Sequence, residues 1–262
     1  MPAIRTILAA ATASLSLAGA AQAQQADHTA HAQPPVRNVV LVHGAFADGS
    51  GWRGVYDQLT KRGYRVTIVQ NPLTSLADDV AATKRVLARQ DGPAILVGHS
   101  YGGTVITQAG DDPKVAGLVY VSALAPDVGQ STGDQFAEIP PPATFVIEPQ
   151  ADGFGFVNMA KFKLGFAGDT TDADAAFLRD SQVPIAMSIF GTKVTHAAWR
   201  TKPSWAVIAT EDAAIDPKLL RSTAKRIGAT TVEVKGSHVV FLTQPKAVAD
   251  VIDQAAQGAG KR

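Results

Sequence analysis

The chain contains no cysteine among its 262 residues. This absence excludes thiol nucleophiles, cysteine-based zinc sites, redox pairs and disulfide bonds. The fold must therefore be stabilised by its apolar core, and 46% of the residues are hydrophobic. The length suits a single ordinary domain.

The chain also lacks an excess of charge of either sign. It has 24 basic and 23 acidic side chains, and the numbers become equal once Arg5 is removed with the N-terminal segment described below. A balanced charge gives no long-range attraction to nucleic acid or to an anionic membrane. We therefore expect neither of these as a partner.

The N-terminal apolar run is too short and too poor in leucine and isoleucine to be a stable membrane span. It covers residues 7–20, follows the single charge of Arg5, and ends at the small-residue pattern AQA at residues 21–23. These features are typical of a secretory signal peptide. We predict that residues 1–23 are cleaved, that residues 24–35 form a flexible leader, and that the mature protein is periplasmic or secreted.

Beyond residue 35, short apolar segments alternate with helical patterns. The apolar segments lack polar alternation, which is typical of a parallel sheet covered on both faces by helices. Six strands are predicted, at residues 36–42, 65–70, 94–97, 115–121, 204–210 and 231–235. The expected fold class is α/β, with one domain over residues 36–262 and its functional residues at the strand exits.

Residues 124–200 interrupt this alternation. Eight of the ten phenylalanines of the chain lie in this segment. An apolar insertion at a strand exit is typical of a lid over a binding pocket, although the same side chains could form a small core of their own. We predict a lid, and the pattern does not say which phenylalanines face a substrate.

The sequence GHSYG follows the predicted strand at residues 94–97 and precedes a predicted helix. This G-x-S-x-G pattern at a strand-to-helix junction indicates a nucleophile elbow. Gly98 and Gly102 leave room where a Cβ would collide, and the hydroxyl of Ser100 projects freely at the top of the sheet. The N-terminus of the next helix then points to the place where negative charge forms.

A serine hydroxyl needs a base to remove its proton. His238 directly follows the strand at residues 231–235 and precedes the last helix, and it is the only histidine at such a late strand exit. His43 and His99 are interpreted as loop-packing residues, and His196 as a surface or structural residue of the insertion. We therefore expect His238 to be the base.

The base in turn needs a carboxylate that orients it, and this carboxylate is expected between the serine and the histidine in the sequence. Three candidates follow the strand at residues 204–210: Glu211, Asp212 and Asp216. Asp212 is favoured because it lies where the chain turns over the sheet. Asp216 precedes Pro217 and resembles a helix N-cap.

A tetrahedral oxyanion needs two hydrogen-bond donors. The backbone N–H of Tyr101, directly after the serine, is the first candidate. The second is expected from the exit of the first strand, where the sequence is HGAF. Ala45 is the preferred donor there and Phe46 is the alternative.

The motifs LVHGAFADGSGW, LVGHSYGG, ATED and GSH together resemble the α/β-hydrolase superfamily. Within it, they are similar to the small bacterial esterase-like branch that is related to plant methylesterases and hydroxynitrile lyases. The resemblance implies a triad of Ser100, His238 and Asp212, and an oxyanion hole formed by Ala45 and Tyr101.

The implied activity is hydrolysis of a small-molecule carboxylic ester, with no cofactor or metal and with no indication of the oligomeric state. The alternatives are a C–C lyase or perhydrolase on the same triad, and a non-catalytic binding protein. The lyases carry threonine where this chain has Gly44, and lysine where it has Val239. Their absence favours the esterase.

Overall fold

A computed structural model describes residues 36–259 of the chain. The predicted signal peptide and leader, residues 1–23 and 24–35, lie outside the described residues. The strands of the described part are β1 Asn38–Val42, β2 Arg65–Val69, β3 Ala94–His99, β4 Val115–Val121, β5 Ile147–Pro149, β6 Phe154–Val157, β7 Ile185–Ala186, β8 Ser204–Ala209 and β9 Thr230–Val234. Its α-helices are α1 Arg53–Lys61, α2 Leu76–Ala88, α3 Gly102–Ala109, α4 Thr132–Glu138, α5 Phe162–Phe166, α6 Asp172–Asp180, α7 Pro217–Arg226, α8 Val240–Thr243 and α9 Pro245–Ala259.

The main sheet has six strands in the order β2-β1-β3-β4-β8-β9, and every neighbouring pair is parallel. Every residue of β1, β3 and β8 is buried, which explains why these segments show no polar alternation. The edge strands β2 and β9 are partly exposed. The predicted α/β fold with a six-stranded parallel sheet is confirmed.

Two groups of helices cover the sheet. Helix α9 packs on β3, β4 and β8 and contacts α1, whereas α3 packs on β1, β3 and β4 and contacts α2. Helix α1 buries Val55 and Leu59, one turn apart on a single face. Helix α7 begins as its sequence predicts, because the Asp216 carboxylate accepts the Lys218 N–H and Pro217 occupies the first turn.

All strands of the main sheet run in the same direction, so their carboxyl ends lie along the same edge of the sheet, the edge that runs across the strands. The chain leaves β1 at His43, β3 at Ser100, β8 towards Asp212 and β9 towards His238. Residues that are far apart in the sequence are therefore brought to the same edge by the topology alone.

Residues 124–200 fold into short elements of a different kind. They contain α4, α5, α6, two 3₁₀ turns and an antiparallel sheet in the order β5-β6-β7. Phe162 and Phe166 of α5 belong to the continuous core of the protein. The segment is therefore packed on the domain, while its extent and its role as a lid stay predictions. No helix within residues 36–259 has the length and hydropathy needed to cross a bilayer.

Gly103 provides a test of how closely α3 approaches the exit of β4. An added Cβ at Gly103 would overlap the carbonyl oxygen of Leu124 and lie 2.8 Å from the Cβ of Ala123. Because backbone cannot move aside cheaply, we expect Gly103→Ala to lower the free energy of unfolding by about 3 kcal/mol. Urea denaturation measures this change.

Gly191→Ala is the matched control, because an added Cβ there meets no other atom within 4 Å. It should unfold within about 0.5 kcal/mol of the unmodified protein. Equal stability of the two variants would show that the α3 contact is not as tight as described.

Candidate active site

Ser100 lies in a tight turn between β3 and α3. Its backbone has φ +53°, a left-handed conformation that residues with a Cβ rarely adopt. The turn is held because the Ser100 N–H donates to the carbonyl of Val121 at 3.2 Å. An added Cβ at Gly98 would overlap the backbone of Gly102, and one at Gly102 would lie 2.7 Å from the carbonyl oxygen of His43. The glycines around the serine are therefore needed for close backbone approach.

The imidazole of His238 lies between a hydroxyl and a carboxylate. Its Nε2 is 2.8 Å from Oγ of Ser100, and its Nδ1 is 2.7 Å from Oδ2 of Asp212. The side chains of the imidazole and carboxylate pair are at most 1% exposed. The other carboxylate oxygen accepts the backbone N–H groups of Ala214 and Ile215, each at 2.8 Å. Three protein groups thus hydrogen-bond to the carboxylate and fix its orientation.

The two other candidate carboxylates point elsewhere. Glu211 is half exposed and lies 3.6 Å from the ammonium of Lys235. Asp216 caps α7 through a 2.8 Å hydrogen bond from the Lys218 N–H. The structure therefore brings only Asp212, of these three, to the imidazole. The catalytic roles of Ser100, His238 and Asp212 stay predictions.

The predicted oxyanion donors lie on both sides of the serine. Ala45 follows β1, Tyr101 precedes α3, and both line the same pocket as Ser100. Within residues 36–259, neither of the two amides donates to another backbone group in a turn or loop. Phe46, the alternative donor, has φ +61°, lies in the same turn as Ala45 and lines the same pocket. The role of the Ala45 and Tyr101 amides as an oxyanion hole, which needs two such donors, stays a prediction.

Two further histidines hold the loops of the site. His99 Nε2 donates to the carbonyl of His238 at 2.9 Å, and the two rings are 4.6 Å apart. His43 Nε2 accepts the backbone N–H of Asn71, and its Nδ1 donates to the carbonyl of Gly44. Burial lowers the pKa of His43 and lowers that of His99 well below its usual value. Both rings are therefore neutral supports, as the interpretation of them as packing residues requires.

His196, by contrast, lies at the surface of the insertion. Its side chain is 56% exposed and is 3.8 Å from a carboxylate oxygen of Asp111. It has no contact with the serine turn and contributes nothing to the candidate site.

Comparison with known proteins identifies the family of this chain. Residues 39–251 match the family model described as "Alpha/beta hydrolase family". The chain belongs to the α/β hydrolase family. The resemblance inferred from the four sequence motifs, and the fold that it implied, are thus confirmed.

Three relatives illustrate this membership. The chain is 28% identical over 247 residues to the pyrethroid hydrolase of Sphingobium wenxiniae, covering 83% of this chain and 86% of that protein. It is 32% identical over 111 residues to methylesterase 3 of Arabidopsis thaliana, covering 36% and 42%. The fold is similar to that of an extracellular α/β-hydrolase from a Paenibacillus species, with a TM-score of 0.71, 21% identity and coverage of 84% and 99%.

Ser100, the candidate nucleophile, lines a pocket. The pocket is narrow: its cavity volume is about 10 Å³, and its empty space together with the open solvent at its mouth is about 310 Å³. Residues 124–200 supply half of the lining: Leu124, Thr132, Phe136, Phe145, Phe166 and Phe190. The walls are therefore mostly apolar, and Ser100, Tyr101 and Thr132 are the lining residues that carry a hydroxyl group. Within residues 36–259, no three His, Cys, Asp or Glu side chains are grouped so that they could hold a metal ion.

Sequence reasoning missed two features of the site. Asp79, on α2, is fully buried and accepts the phenol proton of Tyr101 at 2.6 Å. Phe166 packs edge-on against the ring of His238, with the ring centroids 5.0 Å apart. An acidic residue in the first turn of a helix and a phenylalanine in an insertion both have ordinary explanations, so no signal in the sequence indicated these contacts.

Asp212→Asn tests the tautomer of His238. One side-chain oxygen must remain opposite the N–H groups of Ala214 and Ile215, so the new NH₂ group would face Nδ1 of the imidazole. Nδ1 then has to accept, the proton moves to Nε2, and the ring can no longer accept the proton of the serine. We expect kcat for an ester substrate to fall by about 10⁴-fold with the fold intact.

Asp216→Asn is the matched control, since asparagine is also a good N-cap. Its kcat should stay within about twofold of the original value. If Asp212→Asn retained full turnover, the hydrogen bond between Asp212 and His238 would have no role in the reaction.

Proposed function

We propose that the protein is a serine hydrolase that cleaves small-molecule carboxylic esters through Ser100, His238 and Asp212. The observation that carries this proposal is the imidazole of His238, which lies within 2.8 Å of both its hydroxyl and its carboxylate partner. This arrangement converts a weak nucleophile into an effective one. Membership of the α/β hydrolase family and the names of its relatives, which include a pyrethroid hydrolase and a methylesterase, support the ester class.

In the first half of the reaction, Oγ of Ser100 attacks the ester carbonyl carbon and its proton passes to Nε2 of His238. The carbonyl oxygen becomes an oxyanion that accepts hydrogen bonds from the N–H groups of Ala45 and Tyr101. Asp212 stabilises the imidazolium. The imidazolium then gives its proton to the leaving alcohol oxygen as the C–O bond breaks, which leaves an acyl-enzyme.

In the second half, water takes the place of the alcohol. His238 accepts a proton from water, and the resulting hydroxide attacks the acyl carbon. The tetrahedral intermediate is held by the same two amides, and collapse returns the proton to Oγ of Ser100. The products are a carboxylic acid and the free enzyme.

The pocket favours substrates with an apolar group next to the ester. Four phenylalanine rings of residues 124–200 line it, and no ionisable side chain other than that of Tyr101 does. Apolar burial provides the binding energy, while the donors beside Ser100 select a carbonyl group. We propose neutral, largely apolar small-molecule esters as the substrate class, with residues 124–200 as the lid and with no nucleic-acid or membrane partner.

The lyase alternative receives less support from the site. An added Cβ at Gly44 would lie 2.8 Å from the Cβ of Ser100, so this backbone leaves no room for the threonine of the lyases. Val239, at the position of their lysine, is buried and apolar. The groups that would bind a cyanohydrin are therefore absent from both positions.

Ser100→Ala tests the proposal directly. Removal of the nucleophile should lower kcat for a short p-nitrophenyl ester by about 10⁵-fold or more, because the triad acts as a unit. Thermal unfolding should be nearly unchanged. Ser204→Ala is the matched control: its hydroxyl lies at the start of β8, at the opposite edge of the sheet, and its loss should leave turnover intact.

A fluorophosphonate probe separates the enzyme from a binding protein on the same fold. The probe should label the unmodified protein and Ser204→Ala, and should fail to label Ser100→Ala. Retained ester turnover in Ser100→Ala, or dominant cyanohydrin cleavage in a parallel assay, would overturn the esterase assignment.

Export is a separate proposal, which rests on the sequence of residues 1–23. We propose cleavage after Ala23 and release of the mature chain into the periplasm or medium. N-terminal sequencing of protein expressed from the full chain in a bacterial host should therefore begin at Gln24. Protein that accumulates in the cytoplasm and begins at Met1 would contradict this proposal.

A further inference from the structure

Asp79 is a buried carboxylate that the proposed reaction does not use. It lies in the first turn of α2 and is fully inaccessible to solvent. Its Oδ2 accepts a hydrogen bond from the phenol of Tyr101 at 2.6 Å, and its Oδ1 accepts one from the backbone N–H of Leu73 at 2.8 Å. Burial raises the pKa of Asp79 to about 6. At pH 8 the group is therefore ionised, and both of its oxygens act as acceptors for these two donors.

Tyr101 connects this carboxylate to the reacting centre. Its backbone N–H is one of the two proposed oxyanion donors, and its amide follows the left-handed Ser100 directly. The next two residues, Gly102 and Gly103, have no side chains that could fix the first turn of α3. The buried phenol of Tyr101 is thus a side-chain anchor on the residue that carries the amide, and Asp79 is its hydrogen-bond partner.

The same carboxylate fixes a loop that contacts the rest of the site. Leu73 has φ +58°, an unusual conformation for a leucine, and its N–H is bound by Asp79. Its carbonyl accepts the N–H of Ala186 in β7, within residues 124–200. Two residues earlier, Asn71 is bound by the ring and the carbonyl of His43. The loop therefore joins the exit of β1, the turn after β3 and the insertion.

We propose that Asp79 is a positioning residue, which acts through the side chain of Tyr101 to hold the Tyr101 amide in place for the developing oxyanion. This inference rests on the proposed ester hydrolysis. An amide that is held before the reaction stabilises the transition state without reorganising, whereas a loosely held one loses part of that effect. Asp79 affects the tetrahedral state more than the bound ester, because the oxyanion exists only in the former.

Tyr101→Phe and Asp79→Asn test this role at pH 8. Tyr101→Phe keeps the ring and removes the hydrogen bond, and we expect kcat for a p-nitrophenyl ester to fall by about 10-fold to 100-fold with KM changed less than threefold. Asp79→Asn should lower kcat in the same direction. The double variant should lose no more than the more impaired single variant, since both changes act on one hydrogen bond: Tyr101→Phe removes it, and Asp79→Asn reverses its donor and acceptor.

A second measurement reports on the oxyanion itself. A trifluoromethyl ketone reacts with Ser100 to form a reversible hemiketal: the new bond joins Oγ to the carbonyl carbon, the serine proton passes to His238, and the carbonyl oxygen becomes the oxyanion. For Tyr101→Phe, the inhibition constant of this compound should rise by a factor similar to the loss in kcat.

Tyr120→Phe is the matched control. Tyr120 is another buried tyrosine, and its hydroxyl is hydrogen-bonded to Thr107 at 3.0 Å rather than to Asp79. Its removal should lower thermal stability by an amount similar to that of Tyr101→Phe but leave kcat and the inhibition constant within twofold. A purely structural role for Asp79 predicts that the two tyrosine variants behave alike.

The proposal is overturned if Tyr101→Phe and Asp79→Asn lower stability but keep kcat within twofold, or if the loss appears in KM alone. It is also overturned if the losses of the two single variants add fully in the double variant. The unmodified protein distinguishes these failures from a failure of the proposed function: absence of ester turnover there, with the fold intact, refutes ester hydrolysis and this inference together.

Discussion

The left-handed turn at Ser100 is the constraint on which the geometry of the site depends. Such a conformation costs on the order of 1–3 kcal/mol for a residue with a Cβ, so the surrounding structure must enforce it. Buried β3 and α3 do so from both sides, and Val121 of the neighbouring strand accepts the serine N–H. Gly98 is needed by the turn itself, since an added Cβ there would overlap the backbone of Gly102, whereas Gly102 is needed by a chain packed on the turn. An added Cβ at Gly102 would lie 2.7 Å from a carbonyl oxygen of the β1 exit.

A second requirement is that the base should gain a proton only when the serine releases one. Another charged imidazole beside His238 would oppose that gain. The neighbouring ring of His99 is 4.6 Å away, but burial keeps it neutral, and its proton is used to bind the His238 carbonyl. Asp212 is left as the charge that contacts the imidazole. Burial thus removes the charge of His99, whereas three protein donors hold the carboxylate of Asp212 in place.

Much of this arrangement could be predicted from the sequence, because parallel strands impose it. Continuous apolar segments locate the strands, the strand direction places their exits at one edge, and glycine marks the turn at Ser100. The same reasoning selects His238 by its position and favours Asp212 over Asp216, whose neighbour Pro217 indicates a cap.

Sequence reasoning does not find Asp79, because the contact of Asp79 with Tyr101 depends on how α2 packs against α3. From sequence alone, an aspartate in a first helical turn is fully explained by the helix dipole. Which side chains of residues 124–200 face the pocket could not be predicted either, since short irregular elements have no hydrophobic periodicity.

The walls of the pocket and the proposed oxyanion donors are linked by hydrogen bonds and packing contacts. Residues 124–200 contact the domain close to both halves of the site: Ala186 binds the carbonyl of Leu73, and the carboxylate of Asp169 accepts the hydroxyl of Thr243 in the helix after His238. Phe166 lines the pocket and also packs on the ring of His238. Phe166 therefore connects the pocket wall with the proposed base, and the loop at Leu73 is connected to Tyr101 through Asp79. Because these groups share contacts, a change in the shape of the pocket is expected to change the geometry of the proposed catalytic groups as well.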